Sequence, residues 1–135
     1  MSDEPQVGIV LVSHSGPVAE SVAELARASP PGRDGPVAAA GGLPNGGLGT
    51  SAELIGRAAA SVDRGAGVAV LVDLGSAVLT VKAMLAEGDE LPENTRLVDA
   101  PFVEGAVAAV VTASSGGDIG AVEAAASEAY GYRKT

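Results

Sequence analysis

The chain alternates between short, continuous apolar runs and longer stretches whose apolar residues recur at helical spacing. Val7 to Ser13 is rich in β-branched residues and too short for a helix, the pattern of a strand buried on both faces. Pro17 stands where a first helical turn accepts proline. Val18, Val22 and Leu25 then recur along one side, with Glu20, Glu24 and Arg27 elsewhere on the surface. Ser29-Pro30-Pro31-Gly32 stops that helix. Val37 to Ala40 predicts a short second strand, running into a glycine-rich loop from Gly41 to Gly49. Thr50 and Glu53 have capping-box spacing, and Leu54, Ile55, Ala58 and Val62 form the stripe of the helix behind them. Val68 to Val72 reads as a third strand, ending at Asp73-Leu74-Gly75-Ser76. A helix follows from about Ser76 to Glu87, with Val78, Leu79 and Leu85 inward. Arg96-Leu97-Val98 is the fourth strand, closed by Asp99-Ala100-Pro101. Phe102 to Ala113 is apolar on nearly every side and predicts a deeply buried helix, with the stripe Val103, Ala106, Val107, Val110 in the core or at a subunit interface. Ser114 to Gly117 breaks it, and Asp118 caps a last helix that runs to about Ala129.

Strands alternating with helices at this spacing predict βαβ units: an α/β fold with a mainly parallel four-stranded sheet and helices on both faces, three layers in all. Residues 1–135 read as a single domain, with 1–6 and 130–135 as flexible tails and no internal repeat. In this architecture every strand-to-helix loop falls at the carboxyl edge of the sheet, where open α/β sheets bind ligands. That edge therefore collects Ser13-His14-Ser15-Gly16, the glycine-rich loop, Asp73 to Ser76 and Asp99 to Pro101.

Composition narrows the chemistry. The chain has no cysteine, which excludes disulfides, Cys-ligated zinc, iron–sulfur clusters and thiol catalysis. Eight basic residues against 17 acidic ones give a net charge of −9. The basic residues are scattered, so neither a phosphate backbone nor an anionic membrane finds a cationic patch. No apolar run approaches the roughly 18–20 residues of a membrane span, and the acidic start lacks the basic segment of a signal peptide. A cytoplasmic domain that binds no nucleic acid and no membrane is expected.

His14 is the only histidine, placed where the first strand passes into a helix. A neutral imidazole is a competent nucleophile toward phosphorus. A carboxylate on one ring nitrogen would fix the tautomer, leave the other nitrogen free to attack and stabilise the charged ring that forms. Asp73 is the natural candidate, because first and third strands commonly neighbour each other around a switch point. Backbone N–H groups of a helix start and of glycine loops would hold phosphoryl oxygens. Two plainer readings stand beside these: His14 bonded only to nearby backbone, and Asp73 or Asp99 capping the helices that follow, which for Asp99 is the stronger reading.

Four ordered motifs carry a resemblance. GIVLVSHSGPVAES, GGLPNGGLGTS, VLVDLGSA and DAPFVEGA together resemble the phosphotransferase subunit family of bacterial dihydroxyacetone kinase, DhaM, itself related to mannose-type IIA domains of the phosphotransferase system. The match spans Val7 to Ala113. It implies strand order 2-1-3-4, a homodimer, and transient phosphorylation of His14 on Nε2 by the phosphocarrier protein HPr. Asp73 would support the ring, and Gly41, Gly42, Thr50, Ser51 and Ser76 would lie near the phosphoryl group. It implies no metal and no cofactor on this chain: phosphate would pass to ADP held with Mg²⁺ on the DhaL subunit, and the ATP formed would phosphorylate dihydroxyacetone on DhaK. Some members carry HPr-like and enzyme-I-like domains behind this one; a chain ending at Thr135 is expected to receive phosphate in trans. Leu79-Thr80 replaces the Met-Asn of many members, a change expected to touch interface contacts rather than chemistry.

Rival readings are separable. A mannose-type IIA domain would donate to a sugar-transporter IIB domain, and a non-catalytic regulatory module would bind its partner without forming phosphohistidine. A tetrapyrrole chelatase needs further ligands that a single histidine does not supply.

Overall fold

A computed structural model describes residues 5–29 and 35–135. The expected helix stop at Pro30 to Gly32 and the first four residues of the expected N-terminal tail lie outside that range. Among the described residues, strands β1 (Gly8–Ser13), β2 (Val37–Gly41), β3 (Val68–Val72) and β4 (Thr95–Leu97) form one parallel sheet in the order β2-β1-β3-β4. The intervening helices are α1 (Gly16–Ala28), α2 (Ala52–Val62) and α3 (Gly75–Glu87), followed by α4 (Phe102–Ser114) and α5 (Ile119–Glu128). The strand order is the one the resemblance implied.

The continuous apolar character of β1 follows from its central place. Successive side chains point to opposite faces, and helices cover both. Ile9 and Leu11, with Ala69 and Leu71 of β3, pack against α1, α4 and α5 through Val22, Ala106, Ala109, Val110 and Val122. Val10 and Val12, with Val68 and Val70, pack against α2 and α3 through Ile55, Ala58, Ala59, Ala77 and Val81. The helix residues at these contacts are mostly alanine and valine, so backbones approach closely.

Gly8 records how closely. A Cβ there would lie 2.4 Å from the Val62 carbonyl oxygen and 2.7 Å from Val62 Cγ2. Neither the end of α2 nor the centre of the sheet can yield without disturbing the core. Gly8→Ala is therefore expected to destabilise the fold by about 3 kcal/mol, the upper part of the usual overpacking range. Urea denaturation checks this, and an unchanged midpoint would mean that α2 lifts freely.

Several stripes sit differently from their prediction. In α1 the buried residues are Ala19, Val22, Ala23 and Ala26, while Val18 and Leu25 face solvent. In α3 the core side is Ala77, Val81 and Met84; Leu79 is 69% exposed. Choosing the largest side chains rotated both predictions, because the close-packed interface selects alanines instead. Helix α4 buries Ala106, Ala109, Val110 and Ala113, but Val103 and Val111 are exposed. A simple N-cap one residue later replaces the expected capping box. Ser51, not Thr50, caps α2 by accepting from Leu54 N–H at 3.2 Å, and Glu53 pairs with Arg57.

Candidate active site

Strand register places the two candidate chemical groups side by side. Val12 of β1 pairs with Val72 of β3, so the next residues, Ser13 and Asp73, leave the sheet at the same level. Asp73 N–H continues the ladder to the Val12 carbonyl at 3.1 Å. On the other flank, Gly42 N–H reaches the Ser13 carbonyl at 3.1 Å. Strand β1 is thus clamped on both sides up to the residue before His14.

The Asp73 carboxylate receives four donors. Oδ1 faces His14 Nδ1 at 3.1 Å and accepts Leu74 N–H at 2.8 Å. Oδ2 accepts Ser13 Oγ–H at 2.8 Å and His14 N–H at 3.1 Å. Partial burial by itself would raise the Asp73 carboxyl, but the hydrogen bonds from Ser13, the His14 backbone and ring, and Leu74 outweigh it. The group sits below the ordinary aspartate value of 3.8. An ionised carboxylate only accepts, so His14 Nδ1 carries the hydrogen that faces it and the neutral ring keeps its lone pair on Nε2. Nε2 is in contact with Ser76 Oγ at the start of α3, and the ring side chain remains 25% exposed.

A sign follows for acid stability. A folded carboxyl held below its unfolded value adds stability that is present above the unfolded value and is lost as pH falls through the folded one. The stability advantage of the wild type over Asp73→Asn is expected to shrink on acidification through and below pH 3.8. Denaturation curves at neutral and acid pH test this; a gap that widens with acid contradicts a lowered value.

The glycine-rich loop turns back onto the same edge. Gly49 N–H donates to the His14 carbonyl at 2.9 Å, which brings Thr50 and Ser51 to the histidine loop. Gly41 lies against α1: a Cβ there would come within 2.4 Å of the Ser15 carbonyl oxygen and 2.7 Å of Gly16 Cα. Gly42 has φ +71°, a left-handed conformation that suits glycine. Its N–H is committed to Ser13, so these two glycines shape the loop. Among the described residues, Thr50 Oγ1 is buried and makes no hydrogen bond, whereas Ser51 Oγ caps α2.

Helix capping does not account for the two aspartates. Helix α3 has Leu74 at its N-cap and α4 has Pro101, neither with a side-chain cap bond. Asp99 instead accepts Tyr130 O–H at 2.7 Å, a bond that raises the phenol above its ordinary value of 10.0. Ser127 Oγ–H donates to the Asp99 carbonyl, and Lys134 meets Glu104, so the C-terminal segment leans on the loop before α4 and on the first turn of that helix. Between this loop and Asp73 lies a groove of about 540 Å³ lined by Val78, Lys82, Phe102 and Tyr130.

Sequence reasoning overlooked Ser13. It reads as the last residue of an apolar strand, yet it is 1% exposed and bonded to Asp73. Only the parallel register between β1 and β3, invisible in a single strand, shows which carboxylate it meets. Among the described residues, Glu87, Asp89 and Glu90 form the one acidic triplet close enough to share an ion; they are exposed at the far end of α3, away from His14. No helix among the described residues is long and apolar enough to cross a membrane.

Several known proteins resemble this chain in sequence and fold. Residues 8–123 match the family EIIA-man, described as PTS system fructose IIA component. The chain is 40% identical over 116 residues to the PEP-dependent dihydroxyacetone kinase phosphoryl donor subunit DhaM of Escherichia coli, covering 84% of this chain and 25% of that protein. It is 38% identical to the Pantoea ananatis DhaM over 86% of this chain and 25% of that protein. It is 37% identical to the phosphoryl donor subunit DhaM of dihydroxyacetone kinase 2 of Listeria innocua, over 78% of this chain and 84% of that protein. The chain thus spans about a quarter of the first two relatives. Among solved structures, a protein of unknown function, EF1359, superposes with a TM-score of 0.79 at 28% identity, covering 96% of this chain and 98% of that one. A sigma-54 interaction domain protein from Enterococcus faecalis shares the fold, with a TM-score of 0.63 at 17% identity over 87% of this chain and 85% of that one.

Proposed function

This chain belongs to the EIIA-man family of PTS system fructose IIA components, and from that membership we propose that it is a phosphoryl carrier of a PEP-dependent dihydroxyacetone kinase. The observation that carries the reading is the His14 ring, with Nδ1 pinned to Asp73 and Nε2 turned to the rim beside Ser76. The family and the DhaM relatives supply the biological context.

In this reading HPr presents its phosphohistidine to the rim. The Nε2 lone pair attacks phosphorus, the new N–P bond forms, and the donor N–P bond breaks with its electron pair returning to the donor ring. His14 then carries positive charge, which the Asp73 carboxylate offsets through Nδ1–H. Ser76 Oγ–H, freed from Nε2, donates to a phosphoryl oxygen, as does Thr50 Oγ1–H; Ser51 and the loop shaped by Gly41 and Gly42 complete the cradle. In the second half the β-phosphate of ADP, held with Mg²⁺ on DhaL, attacks the same phosphorus and Nε2 leaves with its pair. The ATP formed serves dihydroxyacetone on DhaK. The chain itself holds no metal or cofactor in this scheme, acts in the cytoplasm and works as a homodimer.

The partners must take turns at one exposed rim. With a net charge of −9, and about −1.5 to −2 more after phosphorylation, the chain favours partners with electropositive faces, chiefly through association rate. Incubation with phosphoenolpyruvate, enzyme I and HPr should place one acid-labile phosphate on the protein, discharged by DhaL with ADP. Discharge to a sugar-transporter IIB domain and not to DhaL would assign the mannose-type role instead, and a stable complex without phosphate would assign a regulatory one.

A further inference from the structure

We propose that Ser13 is a positioning residue for the His14 ring, its hydroxyl polarised by the backbone so that it donates to Asp73 and holds the carboxylate in the orientation that sets the imidazole tautomer. The proposal deepens the phosphohistidine reading and rests on it for its consequence, but its geometry is independent of that reading. Ser13 ends a strand whose other side chains are apolar, and it is 1% exposed. A hydroxyl so placed needs partners, because burying one unbonded is costly. It has two. Ser15 N–H donates to Ser13 Oγ at 3.1 Å, and Ser13 Oγ–H donates to Asp73 Oδ2 at 2.8 Å.

The ionised carboxylate forces the direction of the second bond, because it can only accept, and the first bond is compatible with it. An amide N–H can only donate, so it occupies a lone pair on Oγ and leaves the hydroxyl proton for the carboxylate. The chain of bonds therefore runs one way: Ser15 N–H to Ser13 Oγ–H to Asp73 Oδ2. With His14 N–H also on Oδ2, that oxygen is held by two donors and Oδ1 is turned toward Nδ1. A hydroxyl kept only to satisfy a buried position would be served equally well by a backbone carbonyl. Here it meets the group that holds the ring.

The chain has one histidine, so the ring nitrogens give an unambiguous ¹⁵N signal. In unphosphorylated wild type at neutral pH, the ¹⁵N shifts should report hydrogen on Nδ1. Ser13→Ala is expected to mix the two tautomers and to slow phosphorylation of His14 about tenfold, the scale of one hydrogen bond to a charged group. Ser13→Thr, which keeps the hydroxyl, should restore both. Wild-type ring shifts in Ser13→Ala would overturn the proposal, as would a folded Ser13→Thr that restores neither. Should Ser13→Ala not fold, Ser13→Cys, isosteric with a weaker donor, replaces it, and wild-type shifts there overturn the proposal equally. If wild type takes no phosphate yet its ring shifts respond to Ser13→Ala, the positioning role stands and the phosphohistidine reading fails.

Discussion

His14→Ala is expected to take up no phosphate from phosphoenolpyruvate, enzyme I and HPr, with the protein still folded. The loss should be complete because the chain offers no second imidazole and no thiol to replace it. The backbone around position 14 is held by bonds that do not involve the ring: Gly49 N–H to the His14 carbonyl and His14 N–H to Asp73 Oδ2. Removal of a partly exposed ring from a sheet edge leaves both apolar layers untouched. Stability should therefore change by about 1 kcal/mol or less. Acid-labile labelling measured beside a thermal melt separates the two quantities. A variant that labels as fully as wild type would move the phosphate elsewhere and remove the basis of the proposed function.

Asp73 should show the next largest effect, and its two variants should fail differently. Asp73→Ala withdraws the acceptor from four donors at once. The Ser13 hydroxyl keeps Ser15 N–H but its own proton is left buried without an acceptor, at a cost of about 3 kcal/mol or less. Asp73→Asn keeps the size but replaces one accepting oxygen with an NH₂ that must face a donor. Because the wrong tautomer presents Nε2 as N–H, the attacking lone pair is lost from the rim. Transfer to Asp73→Asn should fall roughly 100-fold or more, given that the equivalent change in a serine-protease triad costs about 10⁴. Rapid-quench measurement of phosphoryl transfer from HPr tests this, and wild-type rates in a folded Asp73→Asn would demote the carboxylate to a loop brace.

Much of this site was legible in the chain because its pieces are local. A lone histidine directly after an apolar β-run, and an aspartate directly after another, are visible by eye, and parallel βαβ topology sends both to one edge. Four motifs in a fixed order then carried the family. The pairing of His14 with Asp73 needed only the expectation that β1 and β3 are neighbours. The Ser13 bond and the Ser76 contact required more, since each joins residues about 60 positions apart through a register that no single segment encodes. Asp118 caps α5 as expected, but the alternative caps at Asp73 and Asp99 failed for a related reason: a side chain that could satisfy its own helix was drawn to a long-range partner, His14 for Asp73 and Tyr130 for Asp99.

From sequence alone came the alternation of strands and helices, the buried character of β1, the loops that meet at the carboxyl edge and the identity of the nucleophilic candidate. Hydrophobic periodicity and residue type are properties of short segments, and they survive without knowledge of neighbours. Tertiary structure alone decided which face of α1 and α3 turns inward, whether Gly42 offers its amide, and how many donors converge on one carboxylate. Those outcomes depend on which surfaces fit most closely and which polar groups remain unpaired after packing, quantities that come into being only when distant segments touch.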